Sequence, residues 1–231
     1  MNLRVCLVTG ASRGIGRAVV LRFARAGFAV VGAARSPEPL SQLRREVEAL
    51  GAACETVPAD VGSEPDAMRV VEAAKRRFGR MDVLVNNAGL ATLLTAASAT
   101  TADYRALLTA NIDSVFFMTQ LAWPLLSASR GVVINVSSMA SADPFPGLGV
   151  YGACKAWVNL FTRAIAGEGK PAGIRAFAVA PGAVETGMLR GAFPDFPAAA
   201  ALDPDDVAQV IESLAEGRMK TASGATLFVQ K

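Results

Sequence analysis

The feature that most constrains this chain is an alternation of apolar runs, five to seven residues long, with segments of helical period, sustained from end to end. The runs lie at 3–9, 28–34, 53–58, 82–86, 131–136, 174–180 and 225–229. They are continuously hydrophobic, the pattern of parallel strands covered on both faces. Helices fill the gaps. One opens near Gly14 and stops at Gly27. A second puts Leu40, Leu43, Val47 and Leu50 on one face and stops at Gly51. A third takes Ser63 as its cap and Pro65 in its first turn, and ends at Gly79. Longer helices are predicted at about 101–128 and 151–168, and a last one at about 204–216. Right-handed crossovers then give a doubly wound parallel α/β sheet, with residues 1–231 as one domain. No linker, low-complexity tract or solenoid repeat interrupts it. The most irregular stretch, 187–203, follows the C-terminal end of a strand, where ligands sit in such sheets; it reads as a short substrate flap.

The composition supports a large core and removes several functions. Hydrophobic residues make up 52% of the chain and charged residues 19%, so disorder is not expected. A net charge of +3 without a long basic run gives no nucleic-acid footprint. The apolar runs are too short to span a membrane. Met1-Asn2-Leu3-Arg4 leads straight into a strand pattern and not a signal peptide. Cys6, Cys54 and Cys154 are odd in number and far apart, which argues against a disulfide framework and for a reducing cytoplasm. The sequence has no histidine. Ser-His-Asp triads, His-ligated zinc and His bases are thereby excluded, and no metal site is expected. Acid/base chemistry has to come from Tyr, Lys, Asp, Glu or Cys.

The first strand ends in Thr9-Gly10-Ala11-Ser12-Arg13-Gly14-Ile15-Gly16, and a helix follows. Gly10 permits a tight turn, Gly14 lets backbone approach a pyrophosphate, and Gly16 lets the helix pack closely. Helix N-terminal amides then face the phosphates. NAD binders place an acid at the end of the second strand to hold the ribose hydroxyl. Here that place holds Ala33-Ala34-Arg35-Ser36. Arg35 and Arg13 suit a 2′-phosphate by charge and fork geometry, which favours NADP(H) over NAD. Two solvated surface arginines are the alternative reading.

Tyr151-Gly152-Ala153-Cys154-Lys155 starts a predicted helix, with the phenol and the ammonium one turn apart on one face. A phenol near pKa 10 is a poor base, and a nearby ammonium lowers that value. Ile134-Asn135-Val136-Ser137-Ser138 ends a strand, so that the Ser138 hydroxyl leaves the sheet edge towards a bound substrate. From there it can hydrogen-bond a carbonyl oxygen that gains charge. Taken singly, the Tyr and Lys also suit a surface helix, and the serines a turn.

Together these residues resemble the short-chain dehydrogenase/reductase family, with a likeness to its 3-oxoacyl-carrier reductases. The matching pieces are TGASRGIG at 9–16, Asp60-Val61, Asn86-Asn87-Ala88-Gly89, Asn111, Ser138, Tyr151-xxx-Lys155 and Pro181-Gly182-Ala183-Val184-Glu185-Thr186, in the family's order across nearly the whole chain. The resemblance implies a Rossmann fold with a seven-stranded, mostly parallel sheet in the order 3-2-1-4-5-6-7. It implies a catalytic set of Asn111, Ser138, Tyr151 and Lys155. Tyr151 gives or takes the proton, Ser138 orients the carbonyl, and Lys155 holds the nicotinamide ribose while lowering the tyrosine pKa. Asn111 holds a water in a proton relay. Gly10, Ser12, Arg13, Gly14, Ile15, Gly16, Arg35, Asp60, Val61, Asn87, Ala88, Gly89, Pro181, Gly182, Val184 and Thr186 would contact the cofactor. Asp60 is placed on the adenine, Asn86, Ala88 and Gly89 on the adenosine side, and Val184 and Thr186 beside the carboxamide. A small-molecule carbonyl or alcohol substrate and a homodimer or homotetramer follow from the same likeness.

The chain departs from the family pattern in three places. Phe177 stands where relatives often have Asn. The segment after Thr186 is short, without their Gly-Arg loop, and Phe228-Val229-Gln230-Lys231 lacks the usual Gly-Gly tail. The flap carries Met188, Leu189, Phe193 and Phe196, which suit a substrate with an apolar body or simply pack the loop. Arg130 and Lys170 suit an acidic carrier, or are merely solvated. Trp123, Phe116, Phe117, Trp157 and Phe161 form either a helix–helix dimer face or part of the core. Two other functions remain open: a 3-hydroxy-acid dehydrogenase-like member of the same family, and a non-catalytic NADP sensor on the same fold. An extended sugar-nucleotide epimerase would need a larger C-terminal domain than this chain has room for.

Overall fold

The computed structural model describes residues 3–231, the side chain of Lys220 excepted; the reading of Met1 and Asn2 lies outside the described residues. The seven apolar runs are the seven strands: β1 (Val5–Thr9), β2 (Ala29–Ala34), β3 (Cys54–Pro58), β4 (Val83–Asn86), β5 (Val132–Val136), β6 (Arg175–Pro181) and β7 (Thr226–Val229). They form one sheet in the order β3-β2-β1-β4-β5-β6-β7, with every pairing parallel. This is the order that the family likeness implied.

The helices are α1 (Gly14–Arg25), α2 (Pro37–Ala49), α3 (Glu64–Phe78), α4 (Thr101–Leu108), α5 (Ser114–Ser129), α6 (Gly149–Gly169), α7 (Gly187–Ala192) and α8 (Pro204–Ala215). Pleating splits each strand's side chains between two cores. Cys6, Val8, Val30, Ile134 and Phe177 face α1, α2 and α8. Val5, Leu7, Val31, Leu84 and Val133 face α3, α5 and α6. Both faces are therefore covered, which is why the strands read as unbroken apolar runs. Phe177, the departure on β6, is fully buried within the first core.

Two helices differ from the reading. Ser63 occupies the cap position of α3, but its hydroxyl makes no capping bond; the Asp66 carboxylate instead accepts from the Asp60 amide at 2.8 Å. The predicted 101–128 helix runs to Ser129 but is not uniform. A π-helical turn over Thr109–Asp113 joins α4 to α5 and carries Asn111 at its centre. The Asn111 amide donates to Leu107 O at 2.9 Å and to Leu90 O at 2.8 Å. A wide turn of this kind aims a side chain away from the regular spiral, and such turns concentrate at functional sites.

Beyond β6 the chain leaves the sheet and returns at Leu202. A parallel bridge between Val184 and Leu202 pins the base of that excursion, with Glu185 N donating to Leu202 O at 2.9 Å. The flap is thus an inserted loop on a fixed stem.

Candidate active site

A cleft of about 1020 Å³ opens at the C-terminal ends of β1, β4, β5 and β6. It lies where the strand order reverses between β1 and β4, the position at which open parallel sheets hold ligands. Ser12, Arg13, Ile15, Arg35, Asp60 and Val61 line one end, and Asn111, Ser138, Tyr151, Lys155, Pro181 and Thr186 the other. Gly10, Gly14, Asn87, Ala88, Gly89, Gly182 and Val184 complete the lining predicted from sequence; Gly16 is not part of it.

The glycine turn is built by steric demand. Gly10 and Gly14 hold φ of 63° and 54°, the left-handed region that side chains avoid. Gly16 serves the turn itself. A β-carbon there would lie 2.3 Å from Gly10 O and 2.5 Å from Asn87 Nδ2. Asn87 fastens the turn by donating from Nδ2 to Thr9 O at 2.9 Å and to Gly10 O at 3.2 Å. Thr9 Oγ1 in return accepts from the amides of Asn87 and Ala88, both at 3.0 Å. The ends of β1 and β4 are stitched together, so the first turn of α1 is held at the cleft. No side chain caps α1 and no acid sits in its first turn, so its amides stay free to meet an anion.

The residues fit a dinucleotide phosphate bridge: a cradle that a β-carbon would fill, free helix amides, and basic side chains at the far end. Arg13 and Arg35 are both exposed, and among the described residues no ion pair engages either one. Arg17, one turn further on, is taken up by Glu46. No acid ends β2.

At the opposite end, α6 presents Tyr151 and Lys155 to the cleft. Lys155 is 4% exposed, and its Nζ donates to Val136 O at 2.9 Å and lies 5.7 Å from the Tyr151 ring centroid. Burial brings the lysine pKa down to about 8. The phenol moves the other way. Desolvation raises the Tyr151 pKa above its usual value, and the hydrogen bond to Ser138 only partly opposes this. The net direction is thus upward, where the resemblance implied a lowering by Lys155. Burial of the phenol dominates its titration. A phenol held neutral is a proton donor at pH 7. Ser138 is itself fixed: its Oγ accepts from Ala140 N at 3.2 Å and its carbonyl from Ser141 Oγ at 2.6 Å. Gly89 lies between Asn111 and Lys155; a β-carbon there would sit 2.8 Å from Asn111 Oδ1 and 3.5 Å from Lys155 Nζ.

Besides Gly16, the structure separates Asn86 from the predicted set. Asn86 does not reach the cleft. It is 2% exposed and donates inward from Nδ2 to Asn135 Oδ1 at 2.9 Å and to Thr119 Oγ1 at 3.1 Å. The pleat decides this: neighbouring residues of an extended strand point to opposite sides, and here Asn87 holds the turn. Two residues escaped the sequence reading. Asn159, one turn beyond Lys155, donates to Ser141 Oγ at 2.8 Å and so props the loop that carries Ser138. Its place eight residues after Tyr151, on the same helix face, was the available signal. Arg190 ties the flap through Glu185, a partner five residues back in an irregular segment that no periodicity would single out.

Among the described residues no helix is long and apolar enough to cross a membrane, and no group of three metal-ligating side chains occurs. The family model described as short chain dehydrogenase matches residues 4–196. The 3-oxoacyl-(acyl-carrier-protein) reductase FabG of Thermotoga maritima is 35% identical, covering 98% of this chain and 96% of that one. The 3beta-hydroxysteroid dehydrogenase 1 of Eggerthella lenta is 33% identical, covering 98% and 92%. The crystal structure of the 3-ketoacyl-(acyl-carrier-protein) reductase of Brucella melitensis complexed with NADH matches with a TM-score of 0.91 at 33% identity, over 98% of this chain and 96% of that one. The chain belongs to the short-chain dehydrogenase family and is an NAD(P)-dependent oxidoreductase.

Proposed function

We propose that this chain interconverts ketones or aldehydes with their alcohols, using NADP(H) in preference to NAD(H) and Tyr151 as acid/base. One observation carries the reading: a neutral, desolvated phenol, a fixed Ser138 hydroxyl and a buried Lys155 share one end of a cleft whose other end is a glycine cradle flanked by Arg13 and Arg35. When bound, the dinucleotide supplies or accepts the hydride. The cradle residues Gly10, Ser12, Gly14 and Ile15 would hold its phosphates. Arg13 and Arg35 would hold the 2′-phosphate, Asp60, Val61 and Asn87–Gly89 the adenosine half, and Pro181, Gly182, Val184 and Thr186 the nicotinamide half.

In reduction, the Ser138 hydroxyl orients the substrate oxygen and Tyr151 delivers its proton there as negative charge develops. In oxidation the same phenol must first be a base, so that direction gains with alkaline pH. Lys155 would hold the nicotinamide ribose and stabilise the phenolate after the proton has left. Asn111, held at the π-turn, completes the proton path between Lys155 and the protein surface.

The apolar flap favours a substrate with an apolar body, and the reading places the protein in the cytoplasm as a small-molecule enzyme without nucleic-acid or membrane partners. It assembles as a homodimer or homotetramer. Phe117, Trp123 and Phe161 pack on the core, whereas Phe116 (42% exposed) and Leu160 (65% exposed) leave an apolar strip for another subunit. Purified protein, offered a panel of carbonyl compounds with NADPH or NADH, oxidises NADPH with at least one member and does so more efficiently than NADH. Loss of absorbance with NADH alone, or with no compound in the panel, contradicts the reading.

A further inference from the structure

Two aromatic rings from separate loops meet over the reacting end of the cleft. Phe145 precedes α6, Phe193 follows α7, and their centroids lie 6.2 Å apart at 58°. Both line the cleft. Phe145 is 67% exposed, and it stands in the cleft wall against a second ring and not alone on the surface.

Neither ring owes its position to core packing; polar bonds fix both loops. Leu94 N donates to Gly147 O and Leu148 N to Phe145 O, each at 2.8 Å. On the other side Arg190 brackets Phe193. Its Nε donates to Glu185 Oε1 at 2.7 Å and its Nη2 to Glu185 Oε2. Its Nη1 donates to the carbonyls of Pro194 at 3.0 Å and Phe196 at 2.6 Å. The two rings are thus pre-organised before any ligand arrives, which lowers the cost of ordering on binding. Below them Leu90, Leu148 and Leu189 add an apolar wall, while Ser138 and Tyr151 supply the polar groups that meet the substrate oxygen.

We propose that Phe145 and Phe193 form an aromatic clamp that sets the substrate class: carbonyl compounds bearing a compact apolar ring, aryl or alicyclic, beside the reacting carbon. This rests on the carbonyl-reducing reading above. A ring gains ring–ring contact and has few torsions to lose. A straight alkyl chain of equal carbon number loses more rotamer freedom and gains no such contact. Arg190 is a positioning residue in this scheme, since it touches the flap and not the substrate.

The test compares kcat/KM with NADPH for acetophenone, cyclohexyl methyl ketone and 2-octanone, all of eight carbons. Wild type prefers the ring ketones by about tenfold, the scale of one or two aromatic contacts. Phe145→Leu and Phe193→Leu each lower that ratio about threefold, and the double variant lowers it by less than the product, because the two rings act as one element. Arg190→Gln raises KM for acetophenone more than it lowers kcat. Equal use of all three ketones by wild type, or an unchanged ratio in both leucine variants, overturns the clamp while leaving the carbonyl chemistry standing. No turnover of any of the three, while another carbonyl of the panel is still reduced with NADPH, overturns the clamp alone; no turnover across the whole panel overturns both.

Discussion

Replacing Lys155 with Met should make the apo protein more stable at neutral pH, although it removes a catalytic group. The ammonium is 4% exposed, and its pKa falls from the usual 10.5 to about 8. At about 1.4 kcal/mol per tenfold change in proton affinity, keeping it charged in the fold costs about 3 kcal/mol at pH 7. Methionine fills similar volume without that cost, but it leaves Val136 O without the lysine's hydrogen bond, a loss of about 1–3 kcal/mol. The net gain at pH 7 is about 1 kcal/mol, or roughly 2–4 °C in melting midpoint for a domain of this size. The sign follows from linkage. Between pH 8 and 10.5 the unfolded lysine binds more protons than the folded one, so wild-type stability rises with pH across that window while the variant's lacks this term. Above it the neutral amine keeps its hydrogen bond at no charging cost, and wild type becomes the more stable. Paired thermal melts of the apo proteins from pH 6.5 to 10.5 should therefore cross. Parallel curves, or a variant less stable at pH 7 by several degrees, would refute the reasoning that the buried ammonium is held against its own solvation.

Gly16→Ala brings a β-carbon to 2.3 Å from Gly10 O, a clash with backbone that cannot swing away. A loss of about 1–3 kcal/mol in stability and at least tenfold weaker NADPH binding are expected, read by melting and fluorescence titration. Arg35→Asp shifts the NADPH/NADH ratio of kcat/KM towards NADH by about tenfold or more, because an acid repels a 2′-phosphate; an unchanged ratio removes Arg35 as the reader. The raised phenol pKa makes alcohol oxidation climb through alkaline pH while ketone reduction does not, which initial rates in both directions from pH 6 to 10 would show.

The architecture was legible because burial on both faces writes itself directly into sequence. All seven strands fell on the apolar runs, with ends displaced by a residue or two, as at β1, which begins at Val5. The glycine turn and the Tyr151–Lys155 spacing were legible for the same reason: each is a local demand of backbone geometry or helical period. What escaped depends on partners remote in sequence. The π-turn carries Asn111 to Leu90 O, a partner 21 residues back, and nothing in the periodicity of 101–128 signals it. Asn86 and Asn87 read alike as neighbours, and only the direction of the pleat sends one inward and the other to the turn. One-turn spacing shows the ammonium beside Tyr151 but hides the desolvation of both groups.

The most direct measurement is the rate of ketone-dependent NADPH oxidation by Tyr151→Phe beside its NADPH affinity. Without the phenolic proton donor the rate should fall by at least two to four powers of ten, the usual scale of acid/base assistance, while the dissociation constant for NADPH changes little. A variant that turns over at the wild-type rate would mean that the proton reaches the substrate from elsewhere.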